Sequence, residues 1–399
     1  MTEVATASPW DIPADWPVPE PEALAVSERL VEVLRDRMAE TDGSLPFADY
    51  MHAVLYEPGL GYYSAGARKF GAAGDFTTAP ELSPLFAQCV AASCAAVLEQ
   101  VPHGVVLELG AGSGALAVEV LRCLETQDRL PASYLILEPS ADLRERQYQR
   151  LAQELPAQLE RVTWLDRPPQ RFAGMLVANE VLDALPVELF HWDGAGTQLR
   201  RVQWEGSGFG WSEAPAAADL AQAVRQLAEH YDWPADYSSE RSAWLSGWLS
   251  ELARGLTRGA MLFIDYGYPR GEYYHPQRSA GTLMCHYRHR AHPDPLLLPG
   301  LQDITAHVDF TAVAEAADAA GLKIAGFTDQ AHYLIDAGIE DRMAVASGED
   351  PVADMRLAQQ LRQLMLPGEM GERFKAMLLT RDCDTAVPGF RQQDLRNRL

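Results

Sequence analysis

The chain has few cysteines and no long apolar run. Its 399 residues include 5 cysteines, which are widely spread and never spaced as a C-x-x-C pair, a usage typical of a reduced cytosol. No apolar run reaches the length of a membrane span, and no basic residue precedes Arg29. We therefore expect neither a membrane helix nor a secretory or mitochondrial presequence, and we predict a cytoplasmic protein with no membrane partner.

Positive charge is scarce as well. The chain has 33 Lys and Arg against 56 Asp and Glu, which gives a formal net charge of −23. Binding to nucleic acid requires clustered cations that contact phosphates, so we expect no nucleic-acid partner, whereas a cationic partner suits the charge. With 47% hydrophobic residues, the chain is long enough to bury one large core or two moderate ones.

Two catalytic motifs are missing, the G-x-S-x-G turn of hydrolases and the G-x-x-x-x-G-K phosphate loop. A different glycine turn is present. The run 105–109 is apolar except for Glu108, and it is followed by Gly110, Gly112 and Gly114. Glycines permit a sharp turn and a close approach to a ligand. The spacing differs from the G-x-G-x-x-G of dinucleotide sites. With its preceding acid, it resembles the first motif of class I S-adenosylmethionine (SAM) methyltransferases; a glycine turn of another α/β enzyme is the alternative.

After this turn, short apolar runs alternate with helical periodicity. The alternation predicts an α/β fold, a Rossmann-like, doubly wound and mostly parallel sheet with an N-terminal helical region and a helical insertion. The expected strands are 105–109, 134–138, 162–165, 174–180, 260–268, 322–329 and 374–382. The expected helices are one that begins at 27 and those at 84–100, 114–124, 141–153 and 309–320.

The same pattern divides the chain into six segments. The sheet is expected to be interrupted near Phe190 by a hairpin at 191–211 and helical sequence at 216–256. The segments are a Pro-rich lead (1–24), an N-terminal helical region with a cofactor-covering loop (25–100), a cofactor-binding half (101–190), the insertion (191–258), the rest of the core (259–385) and a polar tail (386–399).

Acidic side chains follow two of the expected strands. Glu138 ends a strand 24 residues beyond Gly114, near the interval at which an acid binds ribose hydroxyls; a solvated glutamate before a helix is the alternative. Asn179 and Glu180 end another strand, and Asp183 would share a face with Glu180 if a helix began there. The two acids could then grip a guanidinium through charge-assisted hydrogen bonds. The alternative is that Asn179 or Asp183 caps a turn.

Two further segments carry candidate ligands. The loop Gly74 to Pro84 contains Asp75, Phe76, Thr77, Thr78 and Glu81, and it is expected to cover a cofactor as a lid. The alternative is that Thr78 or Ser83 caps a helix that begins near Pro84. The histidines at 286, 289 and 292 follow Cys285, but Pro293 and Pro295 indicate an irregular segment, and helical spacing would fan the ligands apart. We therefore expect no metal there.

Several uncommon strings occur in the order seen in the MidA family of SAM-dependent methyltransferases. They include GDFTTAPELSPLFAQ, LELGAGSGAL, ANEVLDALPVELF, FIDYGY and LPGEMGERFKAML, between about Pro46 and Leu379. The resemblance implies a class I methyltransferase core with SAM as cofactor. It also implies protein arginine as the acceptor, as for the mitochondrial members that act in respiratory complex I assembly.

The resemblance also assigns roles to positions. The first SAM motif is matched by Glu108, Gly110, Gly112 and Gly114, and the acid that binds the ribose is matched by Glu138. The hallmark loop of the family is matched by Gly74, Asp75 and Phe76. The motif beside the transferred methyl group is matched by Asn179 to Pro186. With Thr77, Thr78 and Glu180 these form the expected cofactor site, and the expected catalytic residues are Asn179, Glu180 and Asp183. The histidine-rich string is expected to shape the acceptor cleft. Mitochondrial relatives tend to have Pro, Arg and His where this chain has Ala111, Ser113 and Asn179, and the last difference bears on the acceptor.

The expected function is therefore methyl transfer from SAM to arginine side chains of a protein substrate, with a respiratory-complex subunit as one candidate. The alternatives are another nitrogen acceptor, a SAM-binding assembly factor with little turnover, and an NAD-linked oxidoreductase. The oligomeric state is left open, with a homodimer as one alternative.

Overall fold

The computed structural model describes residues 12–13, 15–65, 77–348 and 350–399. They form two compact units, and each unit is assembled from three segments of the chain. The antiparallel-sheet unit contains the described residues before 66, Ala184–Trp244 and Tyr274–Ala306. The parallel-sheet unit contains Thr77–Asp183, Leu245–Tyr273 and His307–Leu399. Gly74, Asp75 and Phe76, predicted to contact the cofactor, lie outside the described residues.

Helices and strands alternate along much of the described chain. The α-helices are α1 (Pro21–Ala39), α2 (Phe47–Tyr56), α3 (Ala79–Leu82), α4 (Pro84–Gln100), α5 (Ala115–Thr126), α6 (Ala141–Glu154), α7 (Ala218–Tyr231), α8 (Leu245–Gly255), α9 (Arg270–Tyr273), α10 (Phe310–Ala319), α11 (Gln330–Asp336), α12 (Ile339–Ala346), α13 (Pro351–Met365) and α14 (Met370–Arg373). The strands are β1 (Ser44–Pro46), β2 (Val105–Leu109), β3 (Tyr134–Leu137), β4 (Val162–Leu165), β5 (Phe172–Asn179), β6 (Glu188–Trp192), β7 (Thr197–Glu205), β8 (Gly208–Pro215), β9 (Tyr237–Arg241), β10 (Leu256–Tyr268), β11 (Met284–Tyr287), β12 (Arg290–His292), β13 (Asp303–Thr305), β14 (Val308–Asp309), β15 (Lys323–Asp329) and β16 (Phe374–Arg381).

The parallel-sheet unit has the strand order β15-β16-β10-β5-β2-β3-β4. The five strands from β10 to β4 pair in parallel, whereas β16 runs antiparallel to both β10 and β15. The chain runs from β2 outward to β4 and then returns to the other side of β2 as β5. This reversal is the position at which open α/β sheets bind ligands, beyond the carboxyl ends of the strands. The doubly wound, mostly parallel fold is therefore confirmed.

The core of this unit follows from the apolar strands. Val106, Val177 and Leu262 on the three central strands are fully or almost fully buried, together with the apolar faces of α4 and α5. Parallel strands covered on both faces need such continuous apolar sequence. The core therefore holds the carboxyl ends of β2, β5 and β10 in a fixed register.

The antiparallel-sheet unit contains two smaller sheets. One has the order β1-β7-β6-β9 with β8 paired to β7, and the other has the order β12-β11-β13. Helix α1 contributes Leu30, Leu34 and Met38, spaced four residues apart on one face, to a core that also includes Phe47 and Tyr50 of α2. The helical spacing thus explains how the N-terminal region is packed.

Three predictions of local structure are wrong. Helix α1 begins at Pro21 and not at residue 27, because proline is suited to the first turn of a helix. The segment 216–256 is not continuously helical, because β9 lies between α7 and α8 and pairs with β6; α8 belongs to the parallel-sheet unit. The histidine-rich string is not irregular, because β11 and β12 form a hairpin whose turn residues, Arg288 and His289, both have positive φ. No helix in the described ranges is long and apolar enough to cross a membrane.

Candidate active site

Three glycines form the turn between β2 and α5. Gly110, Gly112 and Gly114 have φ of 60°, 54° and 81°, a left-handed conformation that disfavours residues with a Cβ. A Cβ at Gly110 or Gly114 would meet no heavy atom closer than 3.4 Å. The backbone conformation of the turn, and not crowding, therefore calls for glycine.

Glu108, just before this turn, is buried. Its side chain is 2% exposed, and the Tyr134 hydroxyl donates a 2.7 Å hydrogen bond to its Oε2. Burial raises the pKa of Glu108 to about 7, which the Tyr134 hydrogen bond partly opposes. The carboxylate thus lies at the carboxyl end of β2, and within the described part of the chain the Tyr134 hydroxyl is the neutral donor that binds it.

Glu138 is also buried, with 3% of its surface exposed. The Ser140 backbone N–H donates to Oε1 at 3.0 Å, and the Gln147 amide donates to Oε2 at 3.2 Å. The alternative of a solvated glutamate is therefore wrong. The predicted role in ribose binding stays a prediction.

Gln147 of α6 connects the glycine turn to Glu138. Besides its bond to Glu138, its Nε2 donates to the Gly112 carbonyl at 2.9 Å, and its Oε1 accepts from the Trp164 indole N–H at 2.9 Å. Sequence reasoning missed this residue. A signal existed, because Leu143, Gln147 and Leu151 are four residues apart and are the buried positions of α6; a polar residue on a buried face needs hydrogen-bond partners.

The end of the predicted lid loop contacts the glycine turn. Glu81 of α3 accepts hydrogen bonds from the Ser113 hydroxyl and from Arg150 of α6, the second at 3.2 Å. Ser83 caps α4 by accepting from Leu85 N–H at 3.4 Å, as the capping alternative stated, whereas Thr78 makes no side-chain cap. Thr77 is exposed and Thr78 half-buried. Their contact with the cofactor stays a prediction.

The carboxyl ends of β5 and β10 carry a second polar group of residues. Asn179 ends β5, and its amide donates to Glu180 Oε1 at 2.9 Å. The Asn179 Oδ1 is buried and accepts no hydrogen bond from the residues that the structure describes. Glu180 has a positive φ of 53°, so the chain turns instead of entering a helix. The expectation that Glu180 and Asp183 share a helical face is therefore wrong, although both lie close enough to Asp265 to raise its pKa.

Asp265 is the acid that sequence reasoning missed. It lies on β10, one residue past the Ile264 that pairs with Asn179, and it is 1% exposed. Burial, followed by the charges of Asp183 and Glu180, raises its pKa well above the usual value for aspartate. The sequence offered a signal, because an acid that follows five apolar residues on a buried strand requires a partner. We call Asn179, Glu180, Asp183 and Asp265 the acidic side, and Glu108, the three glycines, Glu138 and Gln147 the glycine side.

Comparisons with known proteins identify the family to which this fold belongs. A model of a family of S-adenosyl-L-methionine-dependent methyltransferases matches residues 89–328. The chain is 30% identical to the Drosophila melanogaster protein arginine methyltransferase NDUFAF7 homolog, mitochondrial, over 91% of this chain and 88% of that protein. It is 28% identical to the Mus musculus protein arginine methyltransferase NDUFAF7, mitochondrial, over 88% of this chain and 84% of that protein. A Burkholderia thailandensis protein bound to S-adenosyl-homocysteine is 43% identical, with a TM-score of 0.92 over 96% of this chain and 100% of that one.

The family model covers more than half of the chain. The chain belongs to the MidA family of SAM-dependent methyltransferases. Its cofactor is SAM, and the glycine side fits that molecule. The left-handed glycines carry no side chain that would keep a ligand from the backbone. Glu138 is a buried carboxylate of the kind that accepts hydrogen bonds from a ribose diol, and that role stays a prediction. The family has mitochondrial relatives by name, while the cytoplasmic location expected for this chain stays a prediction.

Proposed function

We propose that this MidA-family methyltransferase transfers the methyl group of SAM to arginine side chains of a protein substrate. The observation that carries the proposal is the acidic side, where Glu180 and Asp183 lie beside a third acid, Asp265, whose carboxylate already accepts hydrogen bonds from backbone N–H groups. Asp183 and Asp265 are at most 4% exposed. Relatives of 28–30% identity that are named protein arginine methyltransferases support the same acceptor.

The acidic side suits a cation better than a neutral acceptor. Burying carboxylates close together costs free energy unless a positive group compensates them. A guanidinium is planar and always charged, and it can donate to two carboxylates at once. The buried Asn179 Oδ1, which lacks a donor among the described residues, offers a further acceptor for a guanidinium N–H. Glu180, Asp183 and Asn179 would thus orient the group.

The residues of this chain act mainly by alignment. When bound, SAM supplies an electrophilic methyl group on a sulfonium. The glycine turn and Glu138 would hold the cofactor, while Glu180 and Asp183 would present one guanidinium nitrogen in line with the methyl group. Alignment of this kind supplies a large part of the barrier reduction in reactions that need little covalent help. The nitrogen would form its bond to the methyl group as the sulfur–methyl bond breaks and S-adenosyl-homocysteine leaves, and it would lose one proton to a carboxylate of the acidic side or to water. The methylated guanidinium stays a cation, which these acids would stabilise.

The proposal is tested by labelling. Purified protein and SAM with a labelled methyl group are incubated with lysate from cells that lack the gene, and the labelled residue is located by mass spectrometry. We expect label on arginine. Label confined to lysine or to small molecules would assign another acceptor, and no label would favour an assembly factor with little turnover. The same incubation identifies the protein substrate, and whether that protein is a respiratory-complex subunit stays a prediction until then.

NAD provides the control for the cofactor. Saturating SAM, at about 100 times its dissociation constant, should add about 2.7 kcal/mol of apparent stability in a melting experiment, whereas NAD should add none. Stabilisation by NAD alone would contradict both the cofactor and the proposed reaction.

A further inference from the structure

We infer that Asp265 is a positioning residue for methyl transfer, because its carboxylate holds the turn that carries Glu180 and Asp183. The inference rests on the proposed function, since it concerns the same acceptor site. Asp265 Oδ2 accepts hydrogen bonds from three successive backbone N–H groups, those of residues 181, 182 and 183, at 3.1, 2.8 and 3.3 Å. Its Oδ1 accepts from the Tyr266 N–H at 2.9 Å.

The hydrogen bonds to Asp265 replace the backbone hydrogen bonds that a helix or a strand would make. Residues 180 to 185 form neither helix nor strand, so their N–H groups need acceptors from elsewhere. One buried oxygen satisfies three of them. The side chain of Asp265 therefore fixes the path of the chain over the residues expected to bind the acceptor.

The turn begins with a strained residue. Glu180 adopts a φ of 53°, which is uncommon for a residue other than glycine and persists only where the surrounding structure enforces it. Two contacts enforce it on either side. The Glu180 N–H donates to the Ile264 carbonyl at 2.9 Å, and Asp265, the next residue of β10, binds the three following N–H groups. β10 thus sets the direction of Glu180.

Two substitutions of Asp265 distinguish the effect of holding the turn from the effect of the carboxylate charge. In Asp265→Asn, the amide oxygen can still accept from residues 181 to 183, while the charge is lost and an NH2 group replaces the oxygen that accepts from the Tyr266 N–H. In Asp265→Ala, both the charge and the acceptor are lost. If Asp265 acts by positioning, Asp265→Ala should transfer methyl groups at least tenfold more slowly at saturating SAM, and Asp265→Asn should restore the rate to within threefold of the wild type.

Two more readouts accompany the rate. Hydrogen exchange of the amides at 181 to 183 should be at least tenfold faster in Asp265→Ala and near the wild-type value in Asp265→Asn. Affinity for S-adenosyl-homocysteine, measured by calorimetry, should stay within threefold in both variants. Equal impairment of the two variants would assign the effect to the charge or to the Tyr266 bond, not to the turn at 181 to 183, and would overturn the inference. A wild-type rate in Asp265→Ala would overturn it as well.

Asp336 provides a matched control. It is a buried aspartate of the same unit, 7% exposed, and its Oδ2 accepts from the N–H groups of Gly389 and Arg391 at 2.6 and 3.1 Å. Asp336→Ala should lower the melting temperature and leave the transfer rate of the folded enzyme within threefold. A tenfold loss of rate in Asp336→Ala would show that any buried aspartate has this effect, and would overturn the inference.

The role of Asp265 can be tested even if Asp265→Ala does not fold or the proposed function is wrong. If Asp265→Ala does not fold, Asp265→Ser, whose shorter side chain cannot reach all three N–H groups, should show at least fivefold faster exchange and slower transfer. If the wild type labels no protein, the proposed function fails by itself. Amide exchange at 181 to 183 then decides whether Asp265 holds the turn.

Discussion

The glycine side and the acidic side lie at the ends of neighbouring strands, yet their polar groups are satisfied differently. On the glycine side, neutral donors bind each buried acid: the Tyr134 hydroxyl binds Glu108, and the Ser140 N–H and Gln147 amide bind Glu138. On the acidic side, four backbone N–H groups bind Asp265, whose pKa is raised by burial and then by the charges of Asp183 and Glu180. The Asn179 Oδ1 is buried without a donor among the described residues.

The difference indicates how the ends of one sheet can bind two ligands, the cofactor on the glycine side and a cationic acceptor on the acidic side. The glycine side is organised before any ligand arrives, because its acids are already oriented by neighbours, which reduces the ordering cost of binding. The acidic side brings three acids together, against two on the glycine side, where the Glu138 charge adds to burial in raising the pKa of Glu108. A cation would relieve the larger repulsion on the acidic side. If this comparison is right, substitutions on the two sides should affect different steps.

The largest effect is expected on the glycine side, where Gly112→Val should abolish SAM binding. The branched side chain fills space that the cofactor needs, and a residue with a Cβ is disfavoured at a φ of 54°. We expect an affinity at least 100-fold weaker by calorimetry, with the fold largely retained by circular dichroism. Gly368→Val is the control, since a Cβ there meets no atom within 4 Å and its φ is not positive. An affinity within threefold of the wild type in Gly112→Val would show that the turn does not bind the cofactor.

On the acidic side, Glu180→Gln should slow methyl transfer and leave cofactor binding nearly intact. Loss of one charge-assisted hydrogen bond to a guanidinium costs about 1.5–3 kcal/mol, which corresponds to a transfer rate roughly 10- to 100-fold lower. The rate is measured on the labelled acceptor at saturating SAM, and S-adenosyl-homocysteine affinity is measured in parallel. A parallel loss of cofactor affinity would remove the distinction between the two sides.

The pH dependence of stability tests how the glycine side holds Glu108. Its pKa is raised by burial to about 7, so the folded state binds the proton more tightly than the unfolded state does. Protonated Glu108 therefore contributes to the stability of the folded state in full below about pH 4.5, and this contribution is lost as the pH rises through 7. In Glu108→Gln this loss is absent, so between pH 5 and 8 the variant should gain about 2 kcal/mol relative to the wild type in urea titrations. A constant difference across that range would contradict the raised pKa.

Much of the fold could be predicted because local pattern and tertiary structure agree. The strand β4 and the helix α4 have the predicted bounds, and the start of α4 is marked by the Ser83 cap and by Pro84 as the first helical residue. The glycine turn was predictable because closely spaced glycines after an apolar strand favour a sharp turn with left-handed φ values. By contrast, β9 has the polar sequence YSSER and becomes a strand only through its pairing with the distant β6.

The missed residues share a physical reason. Asp265 acts on N–H groups more than 80 positions away in the chain, and Gln147 joins a turn and a strand end that are distant in sequence. Such contacts depend on which strands become neighbours, and local periodicity carries no information about that. The β11–β12 turn was missed because Arg288 and His289 occupy positions that usually contain Gly or Asn.

The smallest effect is expected from Gln147, which separates organisation of the glycine side from direct contact with the cofactor. Gln147→Ala removes the amide bonds to Gly112 and Glu138 and leaves the Trp164 N–H without its acceptor. We expect about tenfold weaker S-adenosyl-homocysteine binding and about 1–2 kcal/mol lower stability. Gln149→Ala, at an exposed position of the same helix, should change neither quantity by more than about 0.5 kcal/mol. If Gln147→Ala lowers stability without weakening the affinity, the acids of the glycine side do not need this glutamine to be oriented, and their order before binding comes from the strand ends alone.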